Sequence, residues 1–209
     1  MNGSRDIRTL DPAVIERVEV IKGATSIYGN GSAGGIINFI TKKPAADKTF
    51  SGTTSVGVNG NLVHPSNTAG YRLSQSFSGT VNKFSYVVNG TYNYTGVLKD
   101  AKGNVNAQPD GLGENSLYNA FVKLAYKPNE HSEIVASYNL FRSVQNTDYI
   151  NVTGKYGVTP SVGQKGNDPG EAAGTPYNHN ALVSYHNNAL PLSSSLDVSA
   201  YYNGFISMN

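Results

Sequence analysis

The side chains that could do acid–base, nucleophilic or metal chemistry do not form a catalytic or metal-binding set in this sequence. No Gly-X-Ser-X-Gly elbow occurs among the many serines. The absence of cysteine removes thiolate metal ligands and disulfides. Asp148, Asp168 and Glu171 share one long connection, but their spacing matches no calcium-binding loop. We therefore predict that the protein is not an enzyme and carries no cofactor or metal. The scattered histidines are interpreted as solvated or interfacial: His64, His131, His179 and His186.

A glycine-rich run at residues 29–34 has the spacing of a dinucleotide-binding loop, Gly-X-Gly-X-X-Gly. That loop functions only when a strand precedes it, a helix follows it and an acidic residue lies about 20 residues further on. Here a β-type run at residues 36–41 follows the glycines, and no acidic residue lies near position 54. The pattern instead indicates glycines that supply backbone freedom.

The composition favours a sheet with one apolar and one polar face over a soluble globule. Charged residues make up 14% of the 209 residues, against about 25% in a typical globular domain. Hydrophobic residues reach only 38%, while the sequence has 23 glycines and 14 tyrosines. A membrane barrel has this profile, because small polar side chains line its watery interior. The net charge of +2 gives no reason to expect nucleic-acid binding.

Residues 1–45 are predicted to form a small α+β unit. Asp11 followed by Pro12 is typical of a helix start. Residues 17–21 and 36–41 are expected to form two short strands, with one helical turn at 24–28 between them. Arg17 and Glu19 alternate with Val18 and Val20, so they are expected to point away from the unit's own core. The unit's own core should comprise its aliphatic residues: Val18, Val20, Ile36, Ile37 and Ile40.

From residue 50 onward apolar and polar residues alternate, which predicts seven antiparallel strands. The clearest alternation lies at residues 84–94, 117–127, 133–141 and 196–203, and weaker versions lie at 50–58, 71–78 and 177–186. One face of the central strands is expected to contact lipid and the other a polar lumen. The lipid side should carry Val122, Leu124, Ala136 and Tyr138, and the lumen side Asn119, Lys123, Ser137 and Asn139.

The predicted connections alternate between short turns and long loops, and the longest spans residues 143–176. A soluble β-sandwich also has alternating strands, but nothing in that fold requires this parity. An outer-membrane barrel does require it, because every second connection is a tight periplasmic turn. The alternation therefore favours a barrel.

Residues 15–44, IERVEVIKGATSIYGNGSAGGIINFITKKP, are the most distinctive stretch. They resemble the end of the plug domain of TonB-dependent receptors, where an I-E-R-[IV]-E-V pattern leads through Y-G-x-G-x-x-G-G to the first barrel strand. Ala24 stands where the family usually has proline. The resemblance implies a membrane all-β fold: a partial transmembrane antiparallel β-barrel of about seven strands, preceded by a small α+β plug fragment. It divides the chain into plug residues 1–45 and barrel residues 46–209.

The resemblance also implies which residues matter. Arg17 is expected to pair with acids on the barrel wall, with Glu16 and Glu19 as supporting candidates. The motif residues implied in plug structure and plug–barrel contact are Glu16, Arg17, Glu19, Gly23, Tyr28, Gly29, Gly31, Gly34, Gly35 and Asn38. In or beside the longest loop, Tyr149, Tyr156 and Tyr177 have two open interpretations, as ligand-contacting aromatics or as aromatics at the lipid–water interface.

Members of this family import scarce nutrients and do no chemistry on them. The resemblance therefore implies a receptor in the bacterial outer membrane that takes up a ferric siderophore. Its expected partners are outer-membrane lipid and the TonB energy-coupling protein, which would bind an N-terminal box that this sequence lacks. A haem, cobalamin or oligosaccharide receptor is the alternative within the family. Outside the family, the alternatives are a passive porin or adhesin barrel and, beyond it, a soluble carbohydrate-binding β-protein. The plug motif disfavours both classes.

Overall fold

A computed structural model describes residues 9–23, 34–44, 47–107, 113–166 and 174–208. The described strands form three antiparallel sheets. Two of these are small hairpins. The first pairs β1 (Ile15–Lys22) with β2 (Gly35–Thr41), and the second pairs β8 (Tyr149–Val152) with β9 (Val162–Lys165). Across the described ranges, no helix is long and apolar enough to cross a membrane.

The third sheet has seven strands, each paired with the next strand of that sheet along the chain. This arrangement confirms the seven strands predicted from the period-two alternation. Their lengths run from 9 to 17 residues, and about 9–11 tilted residues suffice to cross a bilayer. The strands are β3 (Ser51–Asn59), β4 (Gly70–Val81), β5 (Phe84–Thr95), β6 (Asn115–Asn129), β7 (Ser132–Gln145), β10 (Gly174–Leu190) and β11 (Ser194–Met208).

The connections of this sheet alternate as the sequence predicts. Tight turns connect the strands at one end of the sheet, at residues 82–83, 130–131 and 191–193. Long connections join them at the other end, at residues 60–69, 96–114 and 146–173. The hairpin β8–β9 lies inside the last of these and was not predicted. Its two strands have only four residues each, which is too short for a period-two signal to stand out.

The two faces of the seven-stranded sheet differ as predicted for its central strands. Asn119 and Asn139 are buried on the face that contacts the N-terminal segment, which we call the inner face. Leu124 and Tyr138 lie on the opposite, outward face and are 50% and 42% exposed. A period of two places neighbouring residues on opposite faces, so the polar set and the apolar set separate completely.

The N-terminal segment differs from the prediction in its core. Its start is as predicted, because Asp11 caps a short 3₁₀ turn at Pro12–Val14. Val18, Val20 and Ile37 are 50%, 67% and 48% exposed, so the predicted aliphatic core is wrong for them. A two-stranded ribbon has two faces and no second layer to cover both of them. The buried cluster of this region instead joins Val14 to Val87 and Phe121 of the large sheet.

Candidate functional site

The N-terminal segment is held on the inner face by an ion pair between Asp11 and Arg72. Nη2 of Arg72 donates to both carboxylate oxygens of Asp11, at 2.7 and 2.9 Å. The same carboxylate caps the 3₁₀ turn by accepting from the backbone N–H of Ala13 at 2.7 Å. The Asp11 side chain is only 2% exposed, whereas that of Arg72, on β4, is 31% exposed. One acidic group therefore both shapes the turn and fixes it to the sheet.

A second contact lies two residues earlier in the chain, at the carbonyl oxygen of Thr9. Nδ2 of Asn119 on β6 donates to this oxygen at 3.2 Å, and Nδ2 of Asn139 on β7 donates at 3.0 Å. Nδ2 of Asn119 also donates to Oδ1 of Asn139 at 3.0 Å. All three residues are buried. Asparagine suits this position, because its amide donates hydrogen bonds without bringing a charge into a buried site.

A third contact anchors the end of β2. Nζ of Lys123 donates to Oγ1 of Thr41 at 3.0 Å. The apolar cluster of Val14, Val87 and Phe121 also joins the segment to the large sheet, and Leu10 packs against it. The segment therefore rests on β4 to β7 through both polar and apolar contacts.

Arg17 lies away from these contacts. Its Nε donates to Glu19 at 2.8 Å, its Nη1 lies 3.4 Å from Glu16, and its side chain is 53% exposed. Nδ2 of Asn38 lies 3.5 Å from the Glu19 carboxylate across the hairpin. Among the described residues, the ion pair that joins the N-terminal segment to the large sheet is thus Asp11–Arg72, and Arg17 pairs within its own strand. The expected pairing of Arg17 with barrel-wall acids stays a prediction.

Two of the predicted glycines have backbone conformations that explain their presence. Gly23 has φ of 99° and Gly35 has φ of 129°, and both values lie in a region that residues with a Cβ rarely adopt. A Cβ on Gly35 would lie 2.5 Å from the carbonyl oxygen of Ile21, whereas one on Gly34 would meet nothing within 4 Å. The remaining predicted motif residues lie outside the described residues: Tyr28, Gly29 and Gly31.

The long connections, which all lie at the same end of the sheet, are hydrogen-bonded to one another. The N–H of Val97 donates to the carbonyl of Asn67 at 2.7 Å, which links the first long connection to the second. The N–H of Gly163 donates to the carbonyl of Val105 at 2.9 Å, which links the second to β9 in the third. The loops therefore form one connected rim.

Asp100 organises the tip of the second long connection. Its carboxylate accepts from the side-chain amide of Asn104 at 2.9 Å and from the backbone N–H groups of Lys102 and Asn104. The hydrogen bond from the Asn104 side chain holds the pKa of Asp100 below its usual value, with the backbone bonds adding to it and desolvation opposing it. The contribution of the Asp100 carboxylate to the stability of this connection is fully present above its unfolded-state pKa. It is lost as the pH falls through the lowered pKa of the folded state.

The three tyrosines singled out from the sequence occupy different places. Tyr156 is fully exposed at the tip of the third long connection, beside a shallow concavity of about 540 Å³ formed by residues 154–161. Tyr149 is half-buried at the start of β8. Tyr177 lies in β10 on the outward face, with its ring centroid 4.1 Å from that of His179. For Tyr177 the geometry favours the interfacial interpretation, since a strand residue on the outward face does not face the rim.

The histidines are separated as the sequence suggests. His186 pairs with Asp197 at 2.6 Å, and Nδ1 of His131 lies 3.1 Å from Oδ1 of Asn188 in a turn. In the part of the chain that the structure describes, no group of three or more histidine or carboxylate side chains could hold a metal ion. Asp168 and Glu171, two of the three suggested cation ligands, lie outside the described residues.

Comparison with known proteins gives matches in both sequence and fold. Residues 1–36 match the family described as the TonB-dependent Receptor Plug Domain. The ferric aerobactin receptor of Klebsiella pneumoniae is 45% identical over 69 residues, which are 32% of this chain and 9% of that receptor. The rhizobactin receptor of Rhizobium meliloti (strain 1021) is 32% identical over 155 residues, which are 70% of this chain and 20% of that receptor. The chain thus spans a fifth or less of the length of these relatives.

The fold matches a solved structure over most of the chain. The ferric enterobactin receptor of Pseudomonas aeruginosa, in complex with enterobactin, superposes with a TM-score of 0.58 at 21% identity. The match covers 90% of this chain and 27% of that receptor. The fold of most of this chain therefore also occurs as part of a larger structure.

Proposed function

This chain belongs to the TonB-dependent receptor family and lies in the bacterial outer membrane, and from that premise we propose that it is part of a receptor that imports a ferric siderophore. The observation that carries the proposal is the docking of the plug segment (residues 9–23 and 34–44) on the inner face of a barrel sheet. A passive porin has no use for such a segment, because it would obstruct the pore.

The same geometry supports the proposed division into plug residues 1–45 and barrel residues 46–209. β2 ends at Thr41 in the small sheet, and β3 begins at Ser51 in the large one. The polar contacts of Asp11, Thr9 and Thr41 are few enough to break in sequence under a pulling force. In the proposal, TonB supplies that force, the plug moves and the ligand crosses without chemical change.

The ligand class is proposed from the relatives, which are named as receptors for ferric aerobactin, rhizobactin and ferrienterobactin. The structure supports ligand capture at the rim, where the joined long connections present Tyr156. A tyrosine ring offers apolar contact and its hydroxyl offers a hydrogen bond, so it can bind both parts of an amphipathic chelate.

Uptake of labelled iron tests this function. The full-length receptor would be expressed in a strain that lacks its own siderophore receptors, once with and once without TonB. We expect TonB-dependent uptake of iron bound to aerobactin, rhizobactin or enterobactin, with no uptake of haem, cobalamin or oligosaccharide. Uptake of one of those instead would contradict the ligand class, and uptake that persists without TonB would contradict active transport.

A further inference from the structure

The outward face of the seven-stranded sheet carries two rows of aromatic side chains at different heights. Phe84 stacks on Tyr126 near the tight turns, with ring centroids 4.5 Å apart. Near the long connections, Tyr92 lies between Tyr71 and Tyr118, with centroid separations of 5.7 and 4.8 Å. The side chains between the rows are uncharged. Tyr86 and Tyr138 lie among them, and the others are small or apolar: Val88, Gly90, Ala120, Val122, Leu124, Ala136 and Leu140.

The distance between the rows matches the apolar part of a bilayer. Along β6, Tyr126 and Tyr118 are separated by eight residues, which is about 27 Å at 3.4 Å per residue. A strand tilt of about 40° reduces this to about 21 Å along the membrane normal, close to the apolar band of about 25 Å in such barrels. The two rows therefore lie at the two lipid–water interfaces.

Arg142 lies in the row near the long connections. It pairs directly with Tyr118 across β6 and β7, and its chain neighbour Phe141 is buried on the inner face, so Arg142 is on the outward face. It is exposed and forms no ion pair with any residue that the structure describes. Of the described outward-facing residues in this sheet, Arg142 is the one that carries a formal charge at neutral pH.

The position of this charge is informative because the cost of a charge depends on its depth. Arginine costs about 2–4 kcal/mol at the midplane of a barrel and about 0–1 near the interface. At the interface its planar guanidinium can bind phosphate oxygens through two parallel hydrogen bonds. Arg142 precedes the end of β7 by three residues, and the long connection 146–173 follows. Long connections face outward, so this interface belongs to the outer leaflet.

We propose that Arg142, with the hydroxyl groups of Tyr118 and Tyr92, binds the phosphate group of a lipid headgroup in the outer leaflet. The inference uses the membrane placement of the barrel and is independent of the ligand that the receptor imports. Charge complementarity carries it: an unpaired cation stands in a row of hydroxyl donors, above a band that is otherwise uncharged.

Native mass spectrometry of the full-length receptor in an uncharged detergent tests the proposal, with phosphatidic acid as the probe. The diacylglycerol with the same acyl chains is the uncharged comparison. Arg142→Gln should weaken phosphatidic acid binding by about fivefold, the contribution expected of one interfacial cation. The matched control is Lys102→Gln, which removes the same charge from a long connection beyond the sheet and should leave the affinity unchanged.

Arg142→Lys keeps the charge but loses the bidentate geometry. Its affinity for phosphatidic acid should therefore lie between those of the wild type and Arg142→Gln. Heat-modifiable gel mobility establishes that each variant is folded, and added salt should weaken binding to the wild type most. Wild-type affinity in Arg142→Gln, or an equal loss of diacylglycerol binding, would overturn the proposal. Ferric siderophore uptake by Arg142→Gln should be normal, which separates this inference from the proposed transport function.

Discussion

At the scale of single residues, Asp11 and Arg72 make the ion pair that joins the plug to the large sheet. They are 61 positions apart, and the carboxylate is almost completely withdrawn from water. Asp11 depends on Arg72 for charge compensation, because its other described bond comes from an uncharged backbone N–H. Leaving a buried carboxylate without its cation costs free energy, so the Asp11–Arg72 pair should hold the plug on the sheet.

The first prediction is that Arg72→Ala loosens the plug. The free energy that holds the plug on the sheet should fall by about 1.5–3 kcal/mol, the range for hydrogen bonds to a charged group. Single-channel conductance of the full-length receptor measures the loosening as more frequent opening. The double variant Asp11→Ala, Arg72→Ala removes the orphaned charge and should open less often than Arg72→Ala alone. A plug that stays closed in Arg72→Ala would show that the ion pair does not hold it.

The second prediction concerns Arg17, which we propose locks the plug through a barrel-wall acid. Its described partners, Glu16 and Glu19, are on its own strand and half-exposed, and such pairs contribute about 0–1 kcal/mol. If these were its sole partners, Arg17→Ala would leave the plug closed. Because the proposed lock adds a barrel-wall acid as a further partner, we expect clear channel opening in Arg17→Ala. We expect none in Lys22→Ala, an exposed control on the same strand. Equal behaviour of the two variants would refute the locking role.

At the scale of elements, the register of the strands decides which side chains meet lipid. Val122 pairs with Val88 on one side and with Tyr138 on the other, in the central row of the outward face. Ser137 belongs to the inner face, where it lines a cavity of about 890 Å³ beside the plug segment. A slip of one residue would exchange these two environments, so the faces can be tested one side chain at a time.

The third prediction follows from that register. Val122→Arg should destabilise the folded receptor by about 2–4 kcal/mol, because it puts a charge at the middle of the apolar band. Ser137→Arg introduces the same charge into the polar interior and should cost much less. Denaturant titration in lipid vesicles gives both free energies of unfolding. Equal costs for the two variants would mean that the assigned faces are wrong.

At the scale of the whole molecule, the seven-stranded sheet is open. β3 and β11 are its edges, and in the described structure neither pairs with the other. Both edges consequently present unpaired backbone N–H and C=O groups, each of which costs several kcal/mol within lipid. Side chains on one strand cannot offset a penalty that accumulates along its whole length.

The fourth prediction is that the 209-residue chain, expressed alone, aggregates through these edges or pairs with other copies of itself. Reconstitution into liposomes, followed by heat-modifiable gel mobility and ferric siderophore uptake, tests it. The full-length receptor provides the control that inserts and transports. A discrete, heat-modifiable monomer of the 209-residue chain that admits a ferric siderophore would contradict the prediction.

The sequence alone determined the seven strands of the large sheet, the faces of the central ones and the family. Alternation is a local property, since neighbouring side chains on a strand point to opposite faces whatever the strand pairs with. The plug motif is likewise contiguous, and the positive φ values of Gly23 and Gly35 agree with its glycine positions.

The tertiary structure alone decided which distant residues meet. Nothing near Asp11 indicates that Arg72 is its partner, because that contact depends on where the N-terminal segment rests on the sheet. The aliphatic pattern of Val18 and Val20 suggested a core, but burial requires a second layer that a two-stranded ribbon does not supply. The outward-facing positions of Arg142 and Tyr177 likewise follow from the register between strands, which no local pattern near either residue reveals.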